Sequence, residues 1–528
     1  MKKTIQIQIP YTKVNDEIYI KQEIVSAIAL SQGEDFSYKV LKKSIDSRKK
    51  TILINLKIEV AINEQFSDDL FELELKQVNS QSKIVYIIGA GPAGLFAAIR
   101  CLQNGIKPII FEQGKNVQDR RRDLASITKN RIINPNSNYC FGEGGAGAYS
   151  DGKLYTRSDK RGDVNLILQL LIHFGASQNI MIDTHPHIGT NKLPKIIENI
   201  RNTILQHGGE IYFQHALIDI EVNDSKTDIK TFYIKDLVKE NTQEYNCTNI
   251  ILATGHSARG IFELLHKKNI AIAFKPFAMG VRVEHPQELI DTIQYHCSTK
   301  SELNDVRNVL PPAKYSLVHT TNQFSVYSFC MCPGGVIAPC ATDLYEVVTN
   351  GWSPSKRNNP YANSGIVTAL SEKQVHGATK NPLAGIMFQQ KLEQQAYRLA
   401  GSNLNAPAQR LTDFINNKQS TTLPTCSYKP GISTVHLKDV LDNYIYLSLQ
   451  KAFIDFGRKM KGFVSEEAVV VGVESRTSSP VRIPRDKQTY KHIEINNLYP
   501  IGEGSGYAGG IVSAATDGIN AIDKLLAN

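Results

Sequence analysis

The chain of 528 residues lacks the features that mark membrane, secreted or repetitive proteins. No apolar run approaches the ~20 residues that a bilayer-spanning helix needs. The first ten residues, MKKTIQIQIP, alternate polar and apolar side chains, which predicts a strand and not a signal peptide. Eight cysteines in a chain of this length do not suggest a disulfide framework. We therefore expect a globular, cytoplasmic protein of two or three domains without a membrane span.

The most informative segment begins at Lys83 and reads KIVYIIGAGPAGLFAAIRCLQNGIKPIIFEQG. The apolar run from Ile84 to Ile88 predicts a buried parallel strand, and Gly89, Gly91 and Gly94 follow at GxGxxG spacing. Such glycines permit a tight turn, bring backbone close to a pyrophosphate at a helix N-terminus, and let the helix pack on the strand. Because strand, turn and helix occur in this order, the motif predicts a Rossmann-type dinucleotide-binding fold.

The continuation of this segment supports the same fold. A helix is expected from about Ala93 to Asn104, and a strand from Pro108 to Phe111. Glu112 ends that strand, at a distance from the glycines where a carboxylate can accept hydrogen bonds from the ribose hydroxyls of an adenine dinucleotide. The segment by itself leaves open which dinucleotide is bound.

Two later segments bear on that choice. LYPIGEGSGYAGGIVSAATDGINAI begins at Leu498 and predicts a short strand, a glycine-rich turn and an apolar helix, while IILATGHSARG begins at Ile250. Each segment alone could be a glycine turn beside a core strand. Both resemble, in the same chain order, segments of the flavoprotein group built like glutathione reductase. That resemblance implies FAD and not NAD, with Glu503 in the place of an acid, more often Asp, that contacts the ribityl chain.

Further segments resemble a family of FAD-dependent dehydrogenases related to aminoacetone-oxidase-like and geranylgeranyl-reductase-like flavoproteins. These segments are FGEGGAGAYSDGKL (141–154), HPHIGTNKL (185–193), FAMGVRVEHPQ (277–287), FCMCPGGVIAPC (329–340), VESRTSSPVRIPR (473–485) and GEGSGYAGGI (502–511). The resemblance spans nearly the whole chain. It implies the cofactor and leaves the substrate open.

The residues expected to bind FAD come from four of these segments. In the loop that begins at Phe141, glycines allow backbone to lie against a flat ring, and two polar side chains can reach the polar edge of the flavin. The expected cofactor-binding residues are Gly89, Gly91, Ala93, Gly94, Glu112, Gly144, Gly145, Ser150, Lys153, Thr254, Gly255, Gly502, Glu503, Gly509, Gly510 and Ile511.

The residues expected to serve the substrate are His187, Arg282 and Arg476. Histidines 185, 187 and 256 could contact the flavin or substrate, ligate a metal or be structural, and the spacing of the first two is unusual for zinc. We expect no metal site. Arg476 can anchor an anionic substrate bidentately or belong to a surface ion-pair network.

The cysteines at positions 330, 332 and 340 do not have zinc-like spacing, which normally uses CxxC pairs. A flavin-linked redox disulfide is not expected either, because only Cys101 lies in the helix after the dinucleotide turn. We expect buried free thiols that are dispensable for flavin reduction.

The fold class expected is α/β: a Rossmann-type FAD-binding domain, a second substrate-side α+β domain and a small N-terminal α/β module. The module covers residues 1–80. The FAD-binding domain is split between residues 81–265 and 491–528, and residues 266–490 form the substrate-side domain.

Within the N-terminal module the patterns predict alternating strands and helices. Strands are expected over Thr4 to Ile9, Thr51 to Val60 and Leu70 to Val78, and helices over Gln22 to Leu30 and Phe36 to Ile45.

These features predict an FAD-dependent oxidoreductase, either a dehydrogenase or a reductase, that transfers a hydride between flavin N5 and a small organic substrate. A second GxGxxG with a following acid is absent, so electrons would come from NAD(P)H docking at the flavin, from a protein partner or from the substrate itself. The alternative is a flavin-dependent nucleic-acid-binding or RNA-modifying protein that uses the basic stretch Lys39 to Lys57. The notable basic charge of that stretch is more typical of a solvated helix end and turn.

Overall fold

The computed structural model describes residues 2–30, 34–66, 71–155 and 162–527. The α-helices of these residues, in chain order, are α1 (Glu17–Ile28), α2 (Pro92–Gln103), α3 (Val117–Asn130), α4 (Val164–His173), α5 (Leu193–Gln206), α6 (Arg259–Lys267), α7 (Gln287–Gln294), α8 (Lys300–Val309), α9 (Ala384–Leu399), α10 (Leu411–Ile415), α11 (Leu437–Val440), α12 (Asn443–Lys459) and α13 (Ile511–Ala527).

The strands, in chain order, are β1 (Lys2–Pro10), β2 (Phe36–Asp46), β3 (Leu53–Ile62), β4 (Ile84–Ile88), β5 (Lys107–Glu112), β6 (Glu210–Phe213), β7 (His215–Val222), β8 (Ile229–Asp236), β9 (Thr242–Asn246), β10 (Ile250–Leu252), β11 (Ala273–Phe274), β12 (Phe277–Pro286), β13 (Val318–Thr320), β14 (Ser325–Cys332), β15 (Val336–Pro339), β16 (Thr349–Trp352), β17 (Tyr361–Leu370), β18 (Ala406–Arg410), β19 (Ile432–Thr434), β20 (Val469–Glu474), β21 (Val481–Arg482) and β22 (Leu498–Pro500).

A five-stranded parallel sheet of order β22-β10-β4-β5-β6 forms the centre of the dinucleotide-binding half. Helix α2 is apolar on nearly all sides because it lies between this sheet and α13. The two helices pack so closely that a Cβ on Gly518 of α13 would lie 2.1 Å from Ala93 O and 3.2 Å from Ala97 N of α2. The antiparallel sheet β7-β8-β9 and helix α6 contribute buried residues to a hydrophobic cluster on the other face of the parallel sheet.

The second large unit is a seven-stranded sheet of order β13-β14-β17-β12-β20-β18-β19. Neighbouring strands of this sheet are antiparallel, except for β18 and β19, which are parallel. Both faces of its central strands β12 and β20 are buried. Valines fill most of β20, whereas β12 also buries the charged Arg282 and Glu284. The protein is therefore an α/β chain with a Rossmann-type parallel sheet and an additional sheet-rich part.

The N-terminal segment forms a three-stranded antiparallel sheet of order β1-β3-β2 with α1 packed on one face. Its buried residues are continuous with the hydrophobic cluster of the seven-stranded sheet. Strand β2 also contacts the segment between α4 and α5: Lys43 N donates to Ile182 O at 2.9 Å, and Thr184 N donates to Lys43 O at 3.1 Å. The module is thereby held beside the segment that carries His185 and His187.

The helix expected over Phe36 to Ile45 is wrong, since this segment is strand β2. A bulge between Val40 and Lys42 inserts one residue into the pairing with β3. The insertion breaks the two-residue alternation after Phe36, Tyr38 and Val40, so the apolar spacing imitates a helix. The basic residues expected at a helix end consequently lie on strands β2 and β3 and on the turn between them.

Other expected elements differ from the structure in their bounds. Helix α1 begins at Glu17 and not near Gln22, because the Asp16 carboxylate accepts a hydrogen bond from Tyr19 N at 3.0 Å and caps the helix there. Leu70, where a strand was expected to begin, lies outside the described residues. Residues 71–78 are not a strand; they run beside α2 and the end of α5, where Val78 N donates to His207 O at 2.9 Å.

Candidate functional site

Three glycine-bearing segments come together at one edge of the parallel sheet. Strands β4, β10 and β22 are direct neighbours, and each ends at its carboxyl end in a glycine turn. The turn after β4 fits closely on the end of β10, since a Cβ on Gly89, whose φ is +107°, would lie 2.5 Å from Ala253 O. Thr254 and Gly255 follow β10, and Gly502 and Glu503 follow β22. Ligands of open α/β sheets bind beyond the carboxyl ends of such strands.

The dinucleotide turn leaves the N-terminus of α2 open. Gly91 is the N-cap residue, Pro92 follows it, and no side chain of the described residues caps this end. Gly94 is required by close packing, because its Cβ would lie 2.0 Å from Gly89 O. The unpaired N–H groups and the helix dipole together favour an anion at this position.

The Glu112 carboxylate lies at the end of β5, buried beside the turn. Its oxygens accept hydrogen bonds from Ala90 N at 2.8 Å, Gly114 N at 2.9 Å and Gly142 N at 3.0 Å. Glu112 therefore ties the dinucleotide turn to the loop that begins at Phe141.

That glycine loop lies directly against the dinucleotide turn. Gly144 N donates to Ala90 O at 2.8 Å, and a Cβ on Gly145 would be 3.2 Å from the Gly91 Cα. A Cβ on Gly147 would lie 3.0 Å from Ile511 Cγ1, at the start of α13. The loop thus contacts the N-terminal ends of both helices.

Two charged residues that the sequence analysis did not single out hold this loop in place. The fully buried Arg120 guanidinium donates to the carbonyl oxygens of Asn138 at 2.8 Å and Glu143 at 2.7 Å. The buried Glu143 carboxylate accepts from Arg201 Nη1 at 2.7 Å and from Val117 N at 2.8 Å. Arg120 lies in the charged run RRR, which gives no sign that one member is buried.

The two polar side chains expected at the flavin edge differ in their contacts. Ser150 Oγ donates to Gly147 O at 2.8 Å and accepts from Gly152 N at 3.0 Å, so it shapes the loop. Lys153 Nζ lies 3.4 Å from Cys330 Sγ, 3.7 Å from Cys332 Sγ and 3.7 Å from the buried Asp151 carboxylate. The loop that lies on the dinucleotide turn therefore reaches strand β14 of the seven-stranded sheet.

His187 is paired with Lys153 through an isolated backbone bridge. Its Nε2 donates to Ser355 O at 3.2 Å, so the neutral ring carries its lone pair on Nδ1. Burial, followed by the nearby Arg357 guanidinium, lowers the pKa of His187 to about 4. The ring is consequently neutral near pH 7 and can accept a proton or a hydrogen bond there.

The two arginines expected to bind substrate lie in buried ion-pair networks. Arg282 Nε donates to Glu474 Oε2 at 2.8 Å and its Nη1 donates to Asn363 Oδ1 at 2.6 Å. Arg476 Nη2 donates to Glu346 Oε2 and to Glu393 Oε2, both at 2.9 Å. Because protein groups accept the hydrogen bonds of each guanidinium, the contacts favour a positioning role over direct binding of the substrate.

The C-terminal turn carries the remaining expected cofactor residues. Gly502 N donates to Asp517 Oδ2 at 2.7 Å, and Arg485 Nη2 lies 2.6 Å from Oδ1 of the same carboxylate. Burial raises the pKa of Glu503 to about 7, with Lys275 opposing this shift and Cys330 adding to it.

The structure brings Lys153 together with His187, through the backbone bridge, and with Cys330, through the contact of Nζ with Sγ. The glycines at 89, 91, 94, 144 and 145 form the neighbouring dinucleotide turn and loop. Arg476 belongs to a separate ion-pair network, with Arg259 of α6 and the two glutamates it contacts. Asp151, which pairs with Arg357 at 3.0 Å, was missed although it stands two residues from Lys153.

The fold and these contacts define a protein with a Rossmann-type dinucleotide-binding sheet and an additional sheet-rich part. Residues 83–270 match the family model described as pyridine nucleotide-disulphide oxidoreductase. Residues 276–477 match the model described as FAD-dependent protein, C-terminal domain-like, and residues 1–61 match a domain of unknown function. An uncharacterized protein of Clostridium beijerinckii is 36% identical over 527 residues, which cover 96% of this chain and 95% of the relative. The chain belongs to this family of FAD-dependent oxidoreductases, and its cofactor is FAD.

Two solved structures are also similar to this chain. A flavoprotein/dehydrogenase from Cytophaga hutchinsonii has 12% sequence identity and a TM-score of 0.35, with 84% of this chain and 79% of that chain covered. CtdE in complex with FAD has 11% identity and a TM-score of 0.30, with 84% and 85% covered. Among the described residues of this chain, no helix is both long and apolar enough to cross a bilayer.

The residues present fit an FAD molecule. A Cβ added to Gly255, Gly509 or Gly510 would meet no protein atom within 4 Å, so these glycines border open space at the carboxyl edge of the sheet. The uncapped start of α2 suits the pyrophosphate, and the Glu112 carboxylate lies at the strand end where ribose recognition is expected.

Replacing Glu112 by alanine is expected to weaken FAD binding by roughly 1–3 kcal/mol. The loss has two sources, because the ribose hydroxyls lose an acceptor and three backbone N–H groups lose theirs. Titration of FAD into the stripped variant measures the first effect, and thermal unfolding of the stripped protein measures the second. Glu112→Gln is the matched control: it retains one acceptor oxygen and should lie between the wild type and Glu112→Ala. Unchanged FAD affinity in Glu112→Ala would contradict this role.

Proposed function

We propose that the protein transfers a hydride between flavin N5 and a small organic substrate in the cleft between the parallel sheet and the seven-stranded sheet. The observation that carries this proposal is the course of the loop from Gly142 to Lys153. Its glycines lie on the dinucleotide turn, and its lysine contacts β14 of the second sheet. One loop thereby links the expected cofactor site to the side from which a substrate can approach.

When bound, FAD supplies two-electron chemistry by taking up or giving up a hydride. The chain's own residues would bind it through Gly91, the N-terminus of α2 and Glu112. Lys153 would place a positive charge near the polar edge of the flavin. His187, neutral near pH 7, would orient a substrate or accept its proton.

Arg282 and Arg476 contribute to the proposal as positioning residues. The buried ion pair of Arg282 fixes β12 against β20 behind the Cys330 backbone, whose carbonyl accepts from Nη1 at 3.4 Å. The ion pairs of Arg476 join the segment after β20 to α9 and to the start of α6. Arg282 would thereby fix two strands of the seven-stranded sheet, whereas Arg476 and Arg259 share Glu393 and would hold α6 beside that sheet.

The domain assignment made from the sequence, with the FAD-binding domain in two pieces and residues 266–490 on the substrate side, is part of the proposal. A cytoplasmic location is also proposed, and the eight free cysteines support a reducing compartment. NAD(P)H, a protein partner or the substrate itself remain the proposed sources of electrons.

The nucleic-acid alternative gains little from the structure. The exposed Lys39 and Lys42 lie on β2, but Lys39 is opposite Glu59 and Arg48 pairs with Asp46 at 2.5 Å. Opposite charges within the same sheet reduce the field that would attract a phosphate backbone.

The test of the proposed function is anaerobic reduction of the bound flavin with NADH, with NADPH and with a panel of metabolites. We expect a yellow protein whose visible flavin absorbance disappears with at least one of these reductants. His187→Asn should slow that reduction while FAD content stays at the wild-type level. The matched control is His207→Asn, because His207 contacts a helix backbone away from the cleft. Failure of every reductant, in protein with full FAD content, would contradict the hydride-transfer proposal.

A further inference from the structure

The thiol pair Cys330 and Cys332 has a feature that its CxC spacing did not indicate. Both sulfurs lie within 3.7 Å of one ammonium group, with Lys153 Nζ nearer to Cys330 Sγ, at 3.4 Å. Cys332 is buried and its thiol donates to Cys330 O at 3.2 Å, whereas Cys330 is half-buried. Cys330 therefore has the closer cation of the two thiols and is the more exposed residue.

The backbone at Cys330 is held in a conformation that non-glycine residues rarely adopt. Its φ is +47°, in the left-handed region, and the pairing of β14 with β17 is irregular between Phe329 and Cys332. Such a conformation is strained for a residue with a side chain and persists where the surroundings fix it. The Arg282 contact to Cys330 O is one such restraint. The irregularity takes the Cys330 side chain out of the regular alternation of the strand.

The charges around the pair favour one thiolate. The neighbouring Cys332 thiol, the Lys153 ammonium and the Arg282 guanidinium hold the pKa of Cys330 well below its usual range, although burial opposes this. The neighbouring Cys330 and burial raise the pKa of Cys332. The charged and titratable groups that face Cys330 are Lys153, Asp151, Arg282, Cys332, Glu474 and Glu503. The surroundings therefore favour the thiolate form at Cys330 over that at Cys332.

We propose that Cys330 is a nucleophile of this site, paired with Lys153, for a carbon electrophile conjugated to a carbonyl group. Reactive cysteines occur in partly exposed, electropositive surroundings of this kind, whereas structural buried thiols do not. The substrate class rests on the proposed function and makes it more specific. The ion pair between the Cys330 sulfur and the Lys153 ammonium is independent of the proposed function.

The covalent step balances without an oxidant. A sulfur lone pair forms the S–C bond to the β-carbon, and the π pair of the C=C bond moves towards the carbonyl oxygen. The Lys153 ammonium stabilises the developing negative charge, and the α-carbon then takes a proton from Lys153 or from water. The product is a thioether adduct, and the addition involves no net oxidation or reduction.

The experiment measures the alkylation rate of each cysteine by acrylamide, a small conjugated amide, in the FAD-containing protein from pH 5 to 10. Peptide mass spectrometry separates the sites, so Cys297 serves as an internal control. Its pKa is raised by burial and by the nearby carboxylates of Glu302 and Asp291. We expect Cys330 to react at least about ten-fold faster than Cys297 at pH 7, because a tenfold larger thiolate fraction follows from each unit of pKa difference.

Two variants test the pairing with Lys153. Lys153→Met should move the midpoint of the Cys330 profile towards higher pH, and Lys153→Arg should keep it near the wild-type value. FAD absorbance and thermal unfolding are recorded for both, so that a folding defect is recognised. A Cys330 profile that matches Cys297, or one that Lys153→Met leaves unchanged, would overturn the proposal. Lack of reaction at every pH would also overturn it, since a nucleophile must be reachable. None of these readouts requires turnover, so hydride transfer can fail while this proposal stands.

Discussion

Replacing Gly91 by alanine is expected to weaken FAD binding at least ten-fold, about 1.4 kcal/mol, while the stripped protein stays as stable as the wild type. Gly91 has φ −77° and ψ −177°, which any residue adopts. Its Cβ would meet only the Gly145 Cα, at 3.8 Å, so the protein alone tolerates it. The methyl group would, however, occupy the space by which backbone approaches the pyrophosphate.

The contrast with Gly94 makes this prediction specific. A Cβ on Gly94 would lie 2.0 Å from Gly89 O, so Gly94→Ala should destabilise the stripped protein itself, by about 1–3 kcal/mol or more. Gly260→Ala is the matched control, because its Cβ would meet no atom within 4 Å in the first turn of α6. FAD titration and thermal unfolding of the three stripped variants measure both effects. Wild-type affinity in Gly91→Ala would show that the pyrophosphate lies elsewhere.

Replacing Arg282 by methionine is expected to lower the free energy of unfolding by about 3–5 kcal/mol. The side chains of Arg282 and Glu474 are 0% and 1% exposed, and Nε lies 2.8 Å from Oε2. Removing the guanidinium leaves a carboxylate in a setting where burial already raises its pKa. The variant must therefore keep an unpaired buried charge or protonate Glu474, and both cost stability.

Two companion variants separate this effect from a general loss of charge. The double variant Arg282→Met with Glu474→Met removes both charges and should be less destabilised than the sum of the single variants. Arg122→Met breaks a surface pair whose side chains are 85% and 44% exposed, and we expect a loss of only about 0–1 kcal/mol. Denaturant unfolding is measured for the wild type, Arg282→Met, Glu474→Met, the double variant and Arg122→Met. Equal stability of Arg282→Met and Arg122→Met would contradict the structural role of Arg282 and would favour its direct contact with the substrate.

The buried arginines show where sequence reasoning reaches its limit. Arg282 and Arg476 were expected to contact substrate, and both stand in segments that resemble a flavoprotein family. A guanidinium binds a substrate carboxylate and a protein carboxylate with the same geometry. The partners Glu474, Glu346 and Glu393 lie on other strands, helices and loops. Nothing local to each arginine indicates which of the two it binds.

The thiols illustrate the same limit from the other side. The CxC spacing of Cys330 and Cys332 matches no metal or relay pattern, so the sequence predicts structural thiols. The cation beside them comes from Lys153, nearly 180 residues earlier in the chain. Only the folding of the glycine loop across to β14 brings the ammonium and the sulfurs together.

The sequence by itself determined the dinucleotide-binding unit and its cofactor class. Strand, glycine turn, helix and acid follow one another between Ile84 and Glu112, and each is specified by local backbone requirements and hydrophobic period. Only the tertiary structure decided that residues 36–46 form strand β2, because the bulge interrupts the alternation of apolar residues. It also decided which charged groups surround Arg282, Lys153 and Cys330. Those outcomes depend on contacts between residues far apart in the chain, where the burial and partners of a charged group are set by the whole fold.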